Sequence, residues 1–318
     1  MVSYFKFKGR EVLAVEQLAA ADWIHVSAPL ELPEVERIAQ KLDIPTDFIT
    51  DSLDIDERSR YEIDDNGKLI LINTPLLNDD AKENEATYIT VPLGIVVLDT
   101  QVITISQRSN MIIKRILDNK IKNFRPADKA RFILHILDEN VYWFLECLKQ
   151  LNQRRNLIER ELYDSSRNRE LRQLLRIEKS LVYFVNSLSA NDLLMMKIKR
   201  TDFLGIRDRD PHEDLFEDII IDNGQALEMS NVYTNILGGT MEAYASIISN
   251  NLNTFIHRLT IITIILMVPT LVASFYGMNL THLPFSDHPS AFFFLLIISV
   301  ILGILLIVFL GKGGRNSR

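Results

Sequence analysis

A row of hydroxyl and amide side chains near the C-terminal end of the sequence is the feature best suited to chemistry. Residues that step by three and four share one face of a helix. The row consists of Ser246, Ser249, Asn253, Ile256, Thr260, Thr263, Met267, Thr270 and Ser274. In lipid such polar groups face protein or water, so the row predicts the lining of a water-filled path. Serine and threonine can instead bond to their own helix backbone, which is the simpler explanation for each residue taken alone.

Apolar side chains on or beside this row predict constrictions of the path. Ile256 and Met267 belong to the row, and Leu259 lies one residue to the side. Hydrophobic collars of this kind can close a pore by excluding water. Glu242, the only formal charge between Met229 and His257, precedes the row by about one turn.

A cluster of carboxylates precedes the row in the sequence. Its members are Asp208, Asp210, Glu213, Asp214, Glu217, Asp218 and Asp222. Carboxylates are favourable at a helix N-terminus, which suffices to explain Glu213 and Asp214. Asp218 and Asp222 lie about one turn apart, and oxygen ligands of this kind bind hard divalent cations.

The tetrapeptide Tyr276-Gly277-Met278-Asn279 stands between two apolar stretches. The first, Leu259 to Tyr276, has no charged residue, and the second, Ala291 to Leu310, has about the 20 residues that span a bilayer. The carbonyl of Gly277 and the amide of Asn279 can accept hydrogen bonds from a hydrated ion. Gly277 could also be a plain C-terminal glycine of a helix.

Long helices are needed to position these groups. Asp210 as N-cap, Pro211 as first helical residue and Glu213 at the third position form the start signal of a helix that we expect to reach Tyr276. Two further helical patterns precede it, Ala127 to Tyr163 and Arg167 to Arg200. A lone cytoplasmic helix of this length would be unstable, so we expect it to pack against partners.

The first 125 residues have an α/β pattern. Alternating or apolar runs predict strands at Val2–Phe7, Trp23–Val26, Arg60–Ile63, Leu69–Thr74, Tyr88–Leu98 and Val102–Ser106. Two helices are predicted, Leu32–Leu42 and Thr46–Leu53. The run from Asp64 to Gly67 predicts a hairpin turn, and the polar stretch Asn78–Glu85 predicts a solvated loop.

Composition narrows the possible functions. The net charge of −7 argues against a nucleic-acid partner. Cys147 is the only cysteine and the six histidines show no ligand-pair spacing, so a zinc enzyme is not indicated. With no nucleophile motif or phosphate loop in the first 200 residues, we do not expect an enzyme. Residues 1–11 show no apolar signal core, and Arg258 and Lys312 flank the two spans, which predicts cytoplasmic termini.

The C-terminal sequence resembles the CorA family of divalent-cation channels. The resemblance rests on the segments Ser246-Ile247-Ile248-Ser249-Asn250-Asn251-Leu252-Asn253, Leu259-Thr260, Pro269-Thr270 and Tyr276-Gly277-Met278-Asn279. It implies an α+β cytoplasmic domain with long stalk helices and two C-terminal transmembrane helices, assembled as a funnel-shaped homopentamer. The first span would line the pore and the second would surround it.

The resemblance also implies roles for individual residues. Gly277, Met278 and Asn279 would form the selectivity filter. Counting back from this motif without gaps places the family's constrictions on Met267, Leu259 and Asn253, and its sensor carboxylate on Asp218, with Asp222 one turn on. The partner acid of the regulatory site stays unassigned among Asp79, Asp80, Glu83 and Glu85. The outer loop departs from the family pattern, because it lacks the usual glutamate and carries Asp287, His282 and His288.

These observations predict the following organisation. Residues 1–125 form a cytoplasmic α/β domain, 126–209 a cytoplasmic long-helix pair, 210–276 a stalk helix continuing into the first span, 277–290 the motif and external loop, 291–311 the second span and 312–318 a basic cytoplasmic tail. The expected function is Mg²⁺ influx across the plasma membrane, gated by cytoplasmic Mg²⁺ between subunits. One alternative is a Zn²⁺, Co²⁺ or Ni²⁺ transporter of the same superfamily, and another is a membrane-anchored cytosolic sensor.

Overall fold

A computed structural model describes residues 1–82, 84–121, 124, 126, 128–164, 168–207, 210–278 and 290–313. The chain divides into two compact units, Met1–Thr240 and Met241–Arg318. The first unit contains a mixed β-sheet with helices on both faces. The second contains the apolar helices.

The sheet of the first unit has seven strands. In chain order they are β1 (Val2–Lys8), β2 (Glu11–Val15), β3 (Trp23–Ser27), β4 (Arg60–Asp64), β5 (Gly67–Leu77), β6 (Tyr88–Val97) and β7 (Val102–Ser106). The spatial order is β2-β1-β3-β7-β6-β5-β4. Neighbours are antiparallel except for β3 and β7, which are parallel.

The most apolar strands lie in the middle of the sheet, as their sequences predict. All five residues of β7 are buried, as are most of β5 and β6. Strands buried on both faces are continuous apolar runs rather than alternating ones. The predicted hairpin between β4 and β5 is confirmed, with Asp64 paired to Gly67 across the turn. Strand β2 was not predicted.

The described residues form seven α-helices. They are α1 (Leu32–Leu42), α2 (Thr46–Leu53), α3 (Met111–Leu117), α4 (Lys129–Asp164), α5 (Asn168–Thr201), α6 (Asp210–Tyr276) and α7 (Ala291–Gly313), with a short 3-10 helix at Leu18–Ala20. α1 and α2 pack on one sheet face through a core that includes Val35 and Phe48. The other face packs against α3, α4, α5 and the first part of α6 in a core that includes Phe132 and Phe216.

Helix α6 packs against α4 and α5 along one seam. The buried positions of this seam recur every three, four or seven residues: Phe216, Ile219, Asn223, Ala226, Ser230 and Leu237. The spacing is that of helices that pack side by side over a long distance. The seam explains how the charge-poor part of α6 is stabilised within the first unit.

The second unit consists of the remainder of α6 and of α7. Among the described residues, α6 is the one helix long and apolar enough to cross a membrane, and none of its most apolar window is buried. α7 has a shorter described apolar stretch, Phe292–Leu306. The two helices touch where Ile265 Cγ2 lies 4.0 Å from the position that a Cβ would take on Gly303. Ser299, one turn before Gly303, is buried as well.

Candidate functional site

The polar row and the contact with α7 lie on different sides of α6. Beyond Tyr244, the partly buried positions of this helix are Ile261, Ile264, Ile265, Val268, Val272 and Tyr276. At 100° per residue, this set is centred about 130° around the helix from the row that contains Thr263, Met267 and Thr270. The row is therefore left exposed in a single chain. Met267 of the row is 63% exposed, and Leu259 beside it is 53% exposed.

The threonines of this part of α6 bond to their own helix. Thr254, Thr260, Thr263 and Thr270 each donate the hydroxyl proton to the carbonyl four residues earlier, at 2.9 Å. The simpler explanation for single threonines is thus confirmed. A hydroxyl has one proton and two lone pairs, so each of these oxygens still presents lone pairs away from the helix. The threonines of the row can therefore accept hydrogen bonds from water while their protons are bound to the helix.

A groove of about 550 Å³ follows the C-terminal half of the row. Thr263, Met267, Thr270 and Ser274 line it together with apolar neighbours. Asn253 and Glu242, earlier on the same helix, are also exposed. The structure thus places the predicted lining residues on one exposed surface of one helix.

The motif at the end of α6 is described only in its first part. Gly277 donates its N–H to Ala273 O at 2.9 Å, so the helical bonding continues into the motif. A Cβ at Gly277 would lie 3.2 Å from that carbonyl oxygen, so a larger residue would require the backbone to shift by a few tenths of an ångström. Met278 follows with half of its surface exposed. Asn279 lies outside the described residues, as do Asp287, His282 and His288.

The acid cluster of the first unit includes a residue that the sequence did not single out, Asp138 on α4. Burial, together with the negative charges of Glu139, Asp222 and Asp218, raises the pKa of this carboxyl to about 6. The charges of Asp218 and Asp222 on α6 therefore act on Asp138 within one chain. Periodicity could not have found this contact, because it does not tell which residues of α4 face α6.

Two carboxylates near Asp218 and Asp222 have basic partners. Glu139 forms an ion pair with Arg115 at 2.6 Å, and Glu217 with Lys199. Within the described part of the chain, Asp218 and Asp222 have no ion pair and are exposed. No group of three or more His, Cys, Asp or Glu side chains among the described residues could hold a metal ion by itself. Asp208 lies outside them.

The loop suggested for the partner acid lies against α5. Asn84 and Glu85 accept hydrogen bonds through their carbonyl oxygens from Lys179 and Arg176 of that helix. Asp80 lies 3.9 Å from Arg108 and is largely exposed. Glu83 lies outside the described residues. The charges of Asp218 and Asp222 act instead on Asp138 of α4, whose pKa they raise.

Comparisons with known proteins agree on one family. The sequence profile described as "CorA-like Mg²⁺ transporter protein" matches residues 19–312. The cobalt/magnesium transport protein CorA of Methanocaldococcus jannaschii is 27% identical over 297 residues, which cover 92% of this chain and 90% of that protein. The protein of the same name from Thermotoga maritima is 20% identical over 277 residues, covering 86% and 77% of the two chains.

Solved structures show the same fold. The complete structure of the CorA magnesium transporter from Methanocaldococcus jannaschii superposes with a TM-score of 0.78 at 24% identity, over 97% of this chain and 96% of that one. The full-length CmaX protein superposes with a TM-score of 0.69 at 15% identity, over 99% and 97% of the two chains. At these identities the likeness concerns the fold alone.

Proposed function

The chain belongs to the CorA-like Mg²⁺ transporter family of divalent-cation transporters, and we propose that it is a homopentameric channel that conducts Mg²⁺ into the cell. The observation that carries the proposal is the exposed polar row on α6, on a different side from the contact with α7. Five copies arranged about an axis can turn their rows inward while α7 lies outside. The interior is then polar and uncharged, and the outer surface apolar.

The chemistry of this path suits a hydrated cation. Mg²⁺ loses its water reluctantly and usually keeps several water ligands in proteins. Coordinated water donates hydrogen bonds, and the lone pairs of Thr260, Thr263 and Thr270 accept them. Met267, Leu259 and Asn253 narrow the path. Gly277, Met278 and Asn279 select at the outer mouth, where carbonyl and amide oxygens bind the water shell without removing it.

The regulatory site of this proposal is the acid cluster of the first unit. In the described part of the chain Asp218 and Asp222 have no ion pair, and their charges act on the partly buried Asp138. A divalent ion held between these carboxylates and the adjacent subunit would cancel their repulsion and keep the pore closed. When internal Mg²⁺ falls, the repulsion returns and the membrane potential drives Mg²⁺ inward. In this arrangement both termini are cytoplasmic and α6 and α7 cross the plasma membrane.

The test is ion flux into proteoliposomes that contain the purified full-length protein. An inside-negative potential should drive Mg²⁺ influx, and millimolar internal Mg²⁺ should suppress it. Co²⁺, Ni²⁺ and Zn²⁺ are measured in the same vesicles, since the two curated relatives above are called cobalt/magnesium transport proteins. Flux of Zn²⁺ without Mg²⁺ would replace the proposal by the transition-metal alternative. No flux of any of these ions would return the anchored sensor to consideration.

Two variants separate the filter from the sensor. Asn279→Ala should abolish influx while the protein still assembles, as judged by its size in detergent solution. Asp218→Asn combined with Asp222→Asn should keep Mg²⁺ flowing at millimolar internal Mg²⁺. Normal influx in the first variant would remove the filter role of Asn279, and normal closure in the second would place the sensor elsewhere.

A further inference from the structure

Helix α6 is tied to α4 by one polar contact just before the end of the first unit. The hydroxyl of Thr240 donates to Glu159 Oε1 at 2.9 Å. Thr240 follows Leu237 along the seam by three residues, at a position that would otherwise suit an apolar side chain. The first unit ends at this residue.

The Thr240 hydroxyl has two acceptors for its single proton. Besides Glu159 Oε1, the carbonyl oxygen of Ile236 also lies at 2.9 Å, four residues earlier on the same helix. A hydroxyl donates one hydrogen bond at a time. The proton therefore either bonds to Glu159 and joins α6 to α4, or bonds to the Ile236 carbonyl within α6. The contact thus has two arrangements of similar geometry.

Glu159 also forms a long ion pair with Arg155, one turn earlier on α4. Arg155 is 91% buried, since its relative exposure is 9%. Its Nε lies 3.5 Å from Glu159 Oε1, beyond a good charge-assisted hydrogen bond. Among the described residues, Nε and Nη1 of Arg155 make no hydrogen bond. A buried guanidinium with unsatisfied donors is costly, so Arg155 attracts the carboxylate that Thr240 now holds.

The segment of α6 next to this contact bends more easily than the rest of the helix. Gly238 and Gly239 immediately precede Thr240, and a Cβ on either would meet nothing within 4 Å. Close packing therefore does not require these glycines. Each weakens the helix relative to alanine, and kinks are common at sites of this kind.

We propose that Glu159 is a two-position latch on α6. In one position it accepts the Thr240 hydroxyl and holds α6 against α4. In the other it pairs with Arg155, the Thr240 proton returns to the Ile236 carbonyl, and α6 is free to bend at Gly238 and Gly239. The role of the latch in regulating ion flow rests on the proposed channel function. The existence of the latch does not.

Hydrogen exchange of the full-length protein in detergent micelles tests the latch without transport. In Thr240→Val, the amides of residues 237–245 should exchange about five- to tenfold faster, because a hydrogen bond to a charged group is lost. Thr240→Ser keeps the hydroxyl and should behave as the natural protein. Thr234→Val is the matched control, because the Thr234 hydroxyl bonds to Ser230 O on its own helix. Unchanged exchange in Thr240→Val, or an equal increase in Thr234→Val, overturns the latch.

Two further variants test the remaining parts of the latch. In a Glu159→Gln background, Thr240→Val should add little, because coupled residues are not additive. Gly238→Ala with Gly239→Ala fits the open space at both positions and should slow exchange about fivefold or more. A full effect of Thr240→Val in the Glu159→Gln background would show that Glu159 is not the partner that matters.

The position of Glu159 and the effect on ion flow complete the test. In a cryo-electron microscopy map of Thr240→Val, the Arg155 Nε to Glu159 Oε1 distance should shorten from 3.5 Å to about 2.9 Å. The internal Mg²⁺ concentration that halves the flux should rise three- to tenfold. Faster exchange with an unchanged half-closing concentration overturns the regulatory role. Absence of all flux in the unmodified protein contradicts the channel proposal but leaves the exchange result standing.

Discussion

Replacing Asp138 by asparagine is expected to stabilise the protein in the absence of divalent ions. The ordinary pKa of this carboxyl is 3.8, and burial with the charges of Glu139, Asp222 and Asp218 raises it to about 6. The folded protein therefore disfavours the ionised form. The substituted amide would keep the shape of the side chain and remove both the buried charge and its repulsion with α6.

The size of the effect follows from the change in pKa. A shift of about two units corresponds to about 3 kcal/mol. Because Asp138 is only partly buried, solvent screening reduces the destabilisation by its ionised carboxylate to about 1.5 kcal/mol. For a domain of this size each kcal/mol moves the melting temperature by about 2–4 °C, so Asp138→Asn should raise it by about 3–6 °C.

The assay is thermal unfolding of the full-length protein in detergent, followed by tryptophan fluorescence with and without Mg²⁺. A carboxyl with a raised pKa destabilises the fold above the folded pKa and ceases to do so below the unfolded pKa. The difference between Asp138→Asn and the natural protein should thus be complete above pH 6 and vanish as the pH falls to about 4. Mg²⁺ should stabilise the variant less than the natural protein.

A substitution of the adjacent residue, Glu139, provides a control, because it should change the melting temperature in the opposite direction. Glu139 is paired with Arg115 at 2.6 Å, and its side chain is 7% exposed. Glu139→Gln removes that ion pair and should lower the melting temperature, with a loss of about 1.5–3 kcal/mol. If Asp138→Asn lowers the melting temperature as well, or leaves it unchanged at pH 8, the repulsion between Asp138 and the α6 carboxylates is refuted.

Two further outcomes can be measured in the same way. Asn191→Ala should lower the melting temperature more than Asn140→Ala. Both side-chain amides donate to the carbonyl of Asn73, but only Asn191 also accepts the backbone N–H of Asn73, through Oδ1. The expected losses of stability are about 3 kcal/mol for Asn191→Ala and about 1 kcal/mol for Asn140→Ala, and equal losses would contradict this account. Burial lowers the pKa of His25 and of His135 to about 4, so between about pH 6.5 and 4 the unfolded chain binds more protons than the folded one. Stability should therefore fall as the pH drops from about 6.5 towards 4, by at most about 3 kcal/mol for each histidine. A melting temperature that does not fall over this range would contradict the burial of the two neutral imidazoles.

Long or strongly apolar elements were predictable from the sequence. Strands β3, β5, β6 and β7 are apolar runs, and helices α1 and α2 have the bounds that periodicity predicted. Short elements with partly exposed residues were missed. β2 lies at an edge of the sheet. The sequence feature that could have indicated it is Gly9, whose φ of 66° suits the two-residue turn between Lys8 and Glu11. The signal of α3 was Asn110, whose side chain accepts the N–H of Ile112.

The candidate site divides in the same way. The polar row was predictable because its residues belong to one helix and follow one period. Asp138 and the contact between Glu159 and Thr240 were not, since each joins residues of α4 and α6 that lie about 80 positions apart in the sequence. The periodicity of a sequence shows which residues share a face of one helix. It does not show which faces of two helices pack against each other. The roles of Gly277, Met278 and Asn279 at the mouth stay a prediction.

The sheet has a consequence for the order of folding. Strands β4 to β7 form one antiparallel meander of neighbouring segments, and β1 to β3 form a second local group. A single parallel pair joins them, over five residue pairs from Trp23–Val102 to Ser27–Ser106. Local contacts form faster than distant ones, so each half should assemble early and their docking should be slow. Trp23, whose indole donates to Thr104 Oγ1 at 2.9 Å, lies in this junction, where a substitution should slow docking more than the formation of either half.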